Sequence, residues 1–312
     1  QRKVWIRDSF DELGSEVSYA DIIRWYGTDA NYYYLPEALC VPIIKTLLEE
    51  KIETEPAEVI NRIEELMLKH SDNSMMTAVM DYAVIVARLY EKALTLGSLT
   101  LNTADEYVMR YESDYCFIDQ YYRQANETYF GIDPTCELFD AVQKVKRCLD
   151  QNYSKLCNRI NLEWTRCLKE TGGIGEVHLL RQQNFYDERI KPIQKKVAVI
   201  VSDALRYEVA KELIGELARS KHIASLKPAI AMLPSETKYC KPSLLPHCEL
   251  KLYGKGEEQD MAVDDHILDT TLKRSEHLQV YRDGAVCVPF ETVAEYNLEK
   301  NREIFKHPLV YI

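Results

Sequence analysis

The sequence of 312 residues lacks several signatures that would assign it to a specialised class of protein. None of its nine cysteines belongs to a Cys-x-x-Cys pair, so a zinc finger or a thioredoxin-type motif has no support. Its apolar runs are far shorter than the roughly 20 residues that span a bilayer, so we expect no transmembrane helix. A signal-peptide pattern is also absent, and free thiols without one indicate the cytoplasm.

Low-complexity and strongly charged tails are absent as well. Hydrophobic residues make up 46% and charged residues 29%, which is ordinary for a globular protein and excludes disordered and collagen-like classes. The formal net charge of −11 argues against duplex binding over the whole surface but leaves a local basic groove open. The length predicts two domains. The opening Gln1 and the strand-like ending Tyr311-Ile312 lead us to expect a fragment of a longer protein.

Residues 1–192 are predicted to be almost wholly helical. Apolar residues recur every three or four positions over 57–70, and 74–96 is apolar nearly all round, which is typical of a helix buried in a bundle. A further long helix is expected to begin at Asp133 and to end at Gly172. The 21 tyrosines are interpreted as packing residues between helices, with stacking on single-stranded nucleic acid as the alternative.

Residues 193–312 show a different rhythm, in which short apolar runs alternate with helical stretches. The β-branched run 197–201 predicts a central parallel strand that is buried on both faces. A second apolar run, 229–233, ends at Pro234. The alternation predicts a mostly parallel α/β domain, so the chain is expected to be an all-helical region followed by an α/β domain.

Candidate chemistry lies at the ends of these two runs. Asp203 follows the first, where a carboxylate can hold a divalent cation, although it could also cap the helix that follows. Ser235 and Thr237 follow the second and are expected at the same sheet edge as Asp203. A hydroxyl becomes a nucleophile when a metal ion or a base lowers its pKa, and a helix cap is again the alternative.

Taken together, these motifs resemble the PglZ domain. Residues 199–208, Val-Ile-Val-Ser-Asp-Ala-Leu-Arg-Tyr-Glu, closely resemble the opening motif of that family. Residues 232–237 and then 244–247 resemble its second motif. The resemblance covers most of the chain from about residue 115 onward.

The resemblance implies a bacterial phage-defence system of the BREX type, and within it the type A phosphatase subclass. It also implies an alkaline-phosphatase-like fold, truncated here, over residues 193–312. Members of that superfamily use two metal ions, commonly zinc, and a Thr or Ser nucleophile. Asp203 would then be a metal ligand and Thr237 the nucleophile, with Ser235 as the fallback. Zinc is the expected metal, with manganese or magnesium as alternatives.

Two classes of function follow. The first is a metal-dependent phosphoester hydrolase that passes through a phospho-threonine intermediate, and it includes a nuclease or another phosphodiesterase. The second is an assembly module with an inactive site, whose tyrosine-rich helices dock other BREX proteins. Those proteins are the expected partners in both cases, with nucleic acid as a further candidate and no membrane.

The other metal ligands are not visible in the sequence. The stretch Asp264-Asp265-His266 mimics a metal-binding Asp-His pair but is interpreted as a solvated helix start. His247 is interpreted as a C-terminal helix cap, with an approach to the phosphate or to a metal ion as the alternative. Further Asp and His ligands are expected beyond Ile312, so we expect this chain to bind metal weakly and to hydrolyse phosphoesters little.

Overall fold

The computed structural model divides into two compact units, Gln1–Val177 and His178–Ile312. This division falls earlier than residue 192, where the sequence pattern changes. No helix in the described part of the chain is long and apolar enough to cross a membrane. The structure describes residues 37–68, 74–256 and 259–312.

The described residues of the first unit form helices joined by turns and contain no strand, and the part of the predicted helical region before residue 37 lies outside the described residues. Five-residue π-helical segments, Leu47–Lys51 and Tyr111–Tyr115, extend two of the helices. In chain order the helices are α1 Glu37–Thr46, α2 Pro56–Met67, α3 Ser74–Leu94, α4 Ala104–Arg110, α5 Cys116–Gly131 and α6 Phe139–Thr171.

Helix α3 lies at the centre of the helical core. Its Val79, Met80, Tyr82 and Val86 side chains are inaccessible to solvent, and α3 packs against both α2 and α5. Burial on several faces explains why residues 74–96 are apolar nearly all round.

Helix α6 begins later than the sequence indicated and ends where it indicated. The side chain of Asp133 accepts hydrogen bonds from the amide and hydroxyl of Thr135, at 2.8 and 2.7 Å. Asp133 therefore forms a turn, and the helix starts only at Phe139, so the predicted start is wrong. Gly172 ends the helix with a φ of 97°, a left-handed conformation that suits glycine.

Two tyrosines of the helical unit pack between neighbouring helices. The rings of Tyr122 on α5 and Tyr153 on α6 stack with their centroids 3.6 Å apart. Their hydroxyls donate to Asp150 at 3.0 Å and to Asp119 at 2.9 Å, respectively. These contacts give the two rings a packing role.

The second unit combines short strands with helices. Its helices are α7 Tyr207–Arg219, α8 Thr237–Ser243, α9 Thr271–Tyr281, α10 Phe290–Glu295 and α11 Leu298–Ile304. Its described strands are β1 Leu180–Arg181, β2 Val197–Val199, β3 Ala229–Ile230, β4 Leu250–Tyr253, β5 Asp260–Val263, β6 His266–Ile267, β7 Val286–Cys287 and β8 Leu309–Tyr311.

The strands form three small sheets rather than one. Strands β1 and β3 pair in parallel, β2, β8 and β7 form a parallel sheet in that order, and β4, β5 and β6 form an antiparallel one. The prediction of a central strand at 197–201 is wrong, because β2 lies at the edge of its sheet and Ile200 is 70% exposed. The buried central strand of that sheet is β8, and the residues paired with it are distant in sequence.

Candidate functional site

Asp203 and Thr237 lie in contact in the second unit. Asp203 lies in the loop between β2 and α7, and Thr237 is the first residue of α8, which follows β3. The Thr237 hydroxyl donates to the Asp203 carboxylate, with Oγ1 at 3.3 and 3.2 Å from its two oxygens. The expectation of one shared sheet edge is wrong, because β2 and β3 belong to different sheets. The loops bring the two side chains together instead.

Asp203 does not cap the helix that follows it. The N-cap residue of α7 is Arg206, and its side chain makes no capping hydrogen bond. One oxygen of Asp203 accepts a hydrogen bond from the Ala204 amide at 3.0 Å. Ala204 has a φ of 53°, an uncommon left-handed conformation for a residue other than glycine. The exposed carboxylate is thus held by a tight loop and not by a helix end.

An ion pair between a buried glutamate and an exposed arginine lies at the start of α7, directly after this loop. Glu208, the last residue of the 199–208 motif, is fully buried, and its carboxylate lies 2.7 Å from the Arg206 guanidinium. Arg206 is 59% exposed, and neither carboxylate oxygen of Glu208 has a hydrogen-bond partner among the described residues, so the pair compensates the buried charge only in part. Sequence reasoning gave Glu208 no role, although it stands inside the most specific motif.

Gln182 holds the segment that carries Thr237. Its Nε2 donates to the Cys240 carbonyl at 2.9 Å, and its Oε1 accepts from the Met232 amide at 3.1 Å. One amide group therefore ties α8 to the chain that leaves β3, on either side of Ser235 and Thr237. Sequence reasoning missed Gln182, because no motif marks a residue so far upstream.

Cys240 lies one helical turn after Thr237. Its thiol is within 3.8 Å of the Met232 carbonyl and 3.7 Å of the Pro234 carbonyl. Burial raises the pKa of this thiol, and the negative charge of Asp203 raises it further. The Cys240 thiol is therefore in contact with the segment that leaves β3.

The Asp264-Asp265 stretch is a hairpin turn between β5 and β6, so its interpretation as a helix start is wrong. Both residues have positive φ, 48° and 67°, as in the two-residue turns that join antiparallel strands. The Asp264 carboxylate accepts from the amides of Cys248 and Glu249 at 2.8 Å each, and from the Tyr281 hydroxyl at 2.6 Å. The Asp264 carboxylate is therefore occupied by hydrogen bonds that stabilise the turn.

His247 also has a local partner. Its Nδ1 lies 2.7 Å from the carbonyl oxygen of Leu245, just after α8 ends. Across the described residues, no group of three or more His, Cys, Asp or Glu side chains is placed to hold a metal ion. The site is accordingly a pair of exposed oxygen groups, Asp203 and Thr237, with the Ser235 hydroxyl exposed in the same loop.

Comparison with known proteins gives concordant results. Residues 185–312 match a family described as the BREX system PglZ alkaline phosphatase-like domain. The chain is 25% identical over 229 residues to the alkaline phosphatase-like protein PglZ of Bacillus cereus (strain H3081.97), an alignment that covers 70% of this chain and 26% of that protein. It is 46% identical over 76 residues to the alkaline phosphatase-like protein BrxZ of Escherichia coli O9:H4 (strain HS), covering 22% and 9%.

The chain thus spans about a quarter of the length of the B. cereus relative that it matches. No solved protein structure matches it. Asp203, Ser235 and Thr237 all fall inside the matched residues.

Proposed function

Residues 185–312 make this chain a PglZ domain protein of the BREX type, and from that premise we propose that it is a metal-dependent phosphoester hydrolase. The hydrogen bond from Thr237 to Asp203 carries the proposal. It joins a hydroxyl at the start of α8 to a carboxylate in the loop before α7, and each lies in a segment that resembles a PglZ motif. Both curated relatives are named alkaline phosphatase-like, which supports the same class of reaction.

Asp203 and Thr237 are suited to bind a divalent metal ion and supply part of its coordination shell. Both are exposed oxygen donors in contact with one another, and carboxylate oxygens are common ligands of zinc, manganese and magnesium. A metal ion bound there would supply Lewis-acid stabilisation of the phosphoryl oxygens. We propose zinc, with manganese or magnesium as alternatives.

Hydrolysis then proceeds in two steps, in which Asp203 and Thr237 have different roles. Asp203 accepts the hydrogen bond of the Thr237 hydroxyl, so it orients Oγ1 and favours loss of the proton. Oγ1 forms a bond to phosphorus while the ester P–O bond breaks, and the leaving alkoxide takes up the proton that the Thr237 hydroxyl has lost, so that an alcohol is released. Water then attacks the phospho-threonine, which restores the Thr237 hydroxyl and releases phosphate.

Hydrolysis by matched hydroxyl variants tests this assignment. The assay uses a form of the protein that covers the length of the relatives, with zinc or manganese and an aryl phosphate mono- and diester. We expect Thr237→Ala to abolish hydrolysis and phospho-threonine formation, and Ser235→Ala to retain both. The opposite pattern would move the nucleophile to Ser235, and wild-type rates in both variants would refute the site. The diester arm distinguishes a phosphodiesterase, including a nuclease, from a monoesterase.

A second candidate is an assembly module that docks other BREX proteins. Two observations favour it, and the first is that the described residues contain no group of three or more metal ligands, as an inactive site would require. The helical unit also exposes Phe130 and Leu162, at 81% and 70%, and exposed apolar side chains are common in interfaces. Binding to the remaining proteins of the system, with Phe130→Ser as the test variant, addresses this role.

Metal binding separates the two candidates. We predict weak binding by this chain, because a carboxylate and a hydroxyl leave most of the coordination shell to water. Titration calorimetry with zinc or manganese measures it. Tight, stoichiometric binding that Asp203→Ala removes would favour the enzyme and show a more complete site.

A further inference from the structure

A cavity of ≈ 380 Å³ opens beside Thr237 within the second unit. Three cationic side chains line it: Lys238 and Lys241 from α8, and Arg274 from α9. Its volume falls in the range of small-ligand sites, roughly 300–1,000 Å³. Thr237, the candidate nucleophile, is thus part of the cavity lining.

Arg274 is fixed without being neutralised. Its Nε donates to the Leu268 carbonyl at 2.8 Å, and its Nη2 donates to the Asp269 carbonyl at 3.3 Å. Carbonyl oxygens orient a guanidinium but carry no net charge, so the positive charge of Arg274 remains available. Lys241 is exposed and forms no ion pair with any residue that the structure describes.

The negative charges of the lining are partly compensated. The Asp269 carboxylate pairs with Lys273 at 2.9 Å, and the Glu236 carboxylate lies 4.0 Å from the Lys238 ammonium group, which leaves Asp260 as the main charge opposing Lys241 and Arg274. Buried Met261 and Leu268 form apolar parts of the lining. Apolar walls lower the local dielectric and strengthen charge interactions. In a chain of net charge −11, this cavity is therefore cationic.

We propose that the cavity binds a second phosphate group of the substrate, next to the phosphoryl group that Thr237 attacks. This inference rests on the proposed function and adds a substrate class, namely phosphoesters that carry a further phosphate close to the reacting one. Lys241 and Arg274 are the residues that would bind that group. A monoester of a neutral alcohol would leave both cations unpaired.

Calorimetric titration with inorganic pyrophosphate tests the cavity without metal and without turnover, on residues 1–312. We expect wild-type binding to exceed that of orthophosphate. Loss of one charge-assisted contact in Lys241→Gln should weaken it about tenfold. Asp260→Asn should tighten it, because an opposing charge is removed. Lys300→Gln, which removes an equal charge outside the lining, should leave it unchanged.

Absence of pyrophosphate binding, an unchanged affinity in Lys241→Gln, or an equal loss in Lys300→Gln would overturn the proposal. Arg274→Gln, checked for an unchanged melting curve, gives a second test of the same kind. Displacement of pyrophosphate by a nucleoside diphosphate or by a short oligonucleotide shows which of them carries the second phosphate, and displacement by neither contradicts the inference. Pyrophosphate binding is measured without turnover, so failure of the hydrolytic assignment, seen as wild-type hydrolysis in Thr237→Ala, is distinguishable from failure of the cavity, seen as absent pyrophosphate binding.

Discussion

The two units of this protein differ in how much apolar surface they bury. In the described residues, one cluster of 27 buried side chains fills the helical unit, whereas the main cluster of the second unit has 10. The strands of the second unit are two to four residues long. All candidate chemistry lies in that second unit, on exposed loops that a few polar contacts hold.

This contrast separates the source of stability from the source of reactivity. Loops can offer Asp203 and Thr237 to solvent because they bury little, but their positions then depend on single groups such as Gln182. The helical core tolerates loss of one polar contact far better than such a loop does.

A substitution in the fully buried part of the helical core should cause the largest loss of stability. Met80 on α3 is fully buried, so Met80→Ala should reduce the free energy of unfolding by about 2–5 kcal/mol through lost burial and a cavity. Urea unfolding measures this value. Leu162→Ala is the control, because Leu162 is 70% exposed and should cost less than about 0.5 kcal/mol. Equal costs would contradict the assignment of stability to the helical core.

The hairpin turn of the second unit should stabilise the fold in a pH-dependent way. Burial alone would raise the pKa of Asp264, but hydrogen bonds from Tyr281 and two backbone amides outweigh it and hold the pKa below its usual value. The carboxylate therefore stabilises the fold above its unfolded pKa of about 3.9, and this contribution is lost as the pH falls through the folded pKa.

Asp264→Asn should accordingly cost about 1.5–3 kcal/mol at pH 7 and much less in strong acid. Urea unfolding of wild type and variant at several pH values gives the two costs. Asp265→Asn, at the exposed neighbouring position, should have the smaller effect at pH 7. A cost for Asp264→Asn that does not change with pH would show that its charge is irrelevant.

The weakest effect on stability, but one with a functional consequence, is expected at Gln182. Gln182→Ala removes two hydrogen bonds, each worth about 1 kcal/mol, and frees the segment that carries Thr237. We expect a loss of about 1–2 kcal/mol together with reduced hydrolysis. Gln183→Ala, at the exposed adjacent position, is the matched control. Unchanged hydrolysis in Gln182→Ala would show that the loop is positioned by other contacts.

The sequence predicted what depends on local pattern. The periodic apolar stretch at 57–70 corresponds to α2, and Gly172 ends α6 as expected. The prediction failed where a side chain changes the direction of the backbone, as the Asp133 carboxylate does when it accepts a hydrogen bond within its turn. It also failed at Asp264, because two adjacent aspartates in left-handed conformations are set by the strands that they join.

The sequence likewise did not show which strands and loops lie side by side in the fold. A β-branched run such as 197–201 indicates a strand, but nothing local shows that it lies at an edge and that β8 is the buried one. The contact of Asp203 with Thr237 was predicted for the wrong reason, since loops rather than one sheet edge bring them together. No sequence motif near Gln182 indicated its role.

The dependence of hydrolysis on Asp203 tests the central claim most directly. We would measure metal-dependent phosphoester hydrolysis by wild type, Asp203→Ala and Asp265→Ala in a form that covers the length of the relatives. The account predicts that Asp203→Ala loses the metal-dependent activity while its free energy of unfolding stays close to that of wild type, and that Asp265→Ala remains active. Wild-type rates in Asp203→Ala would contradict the account.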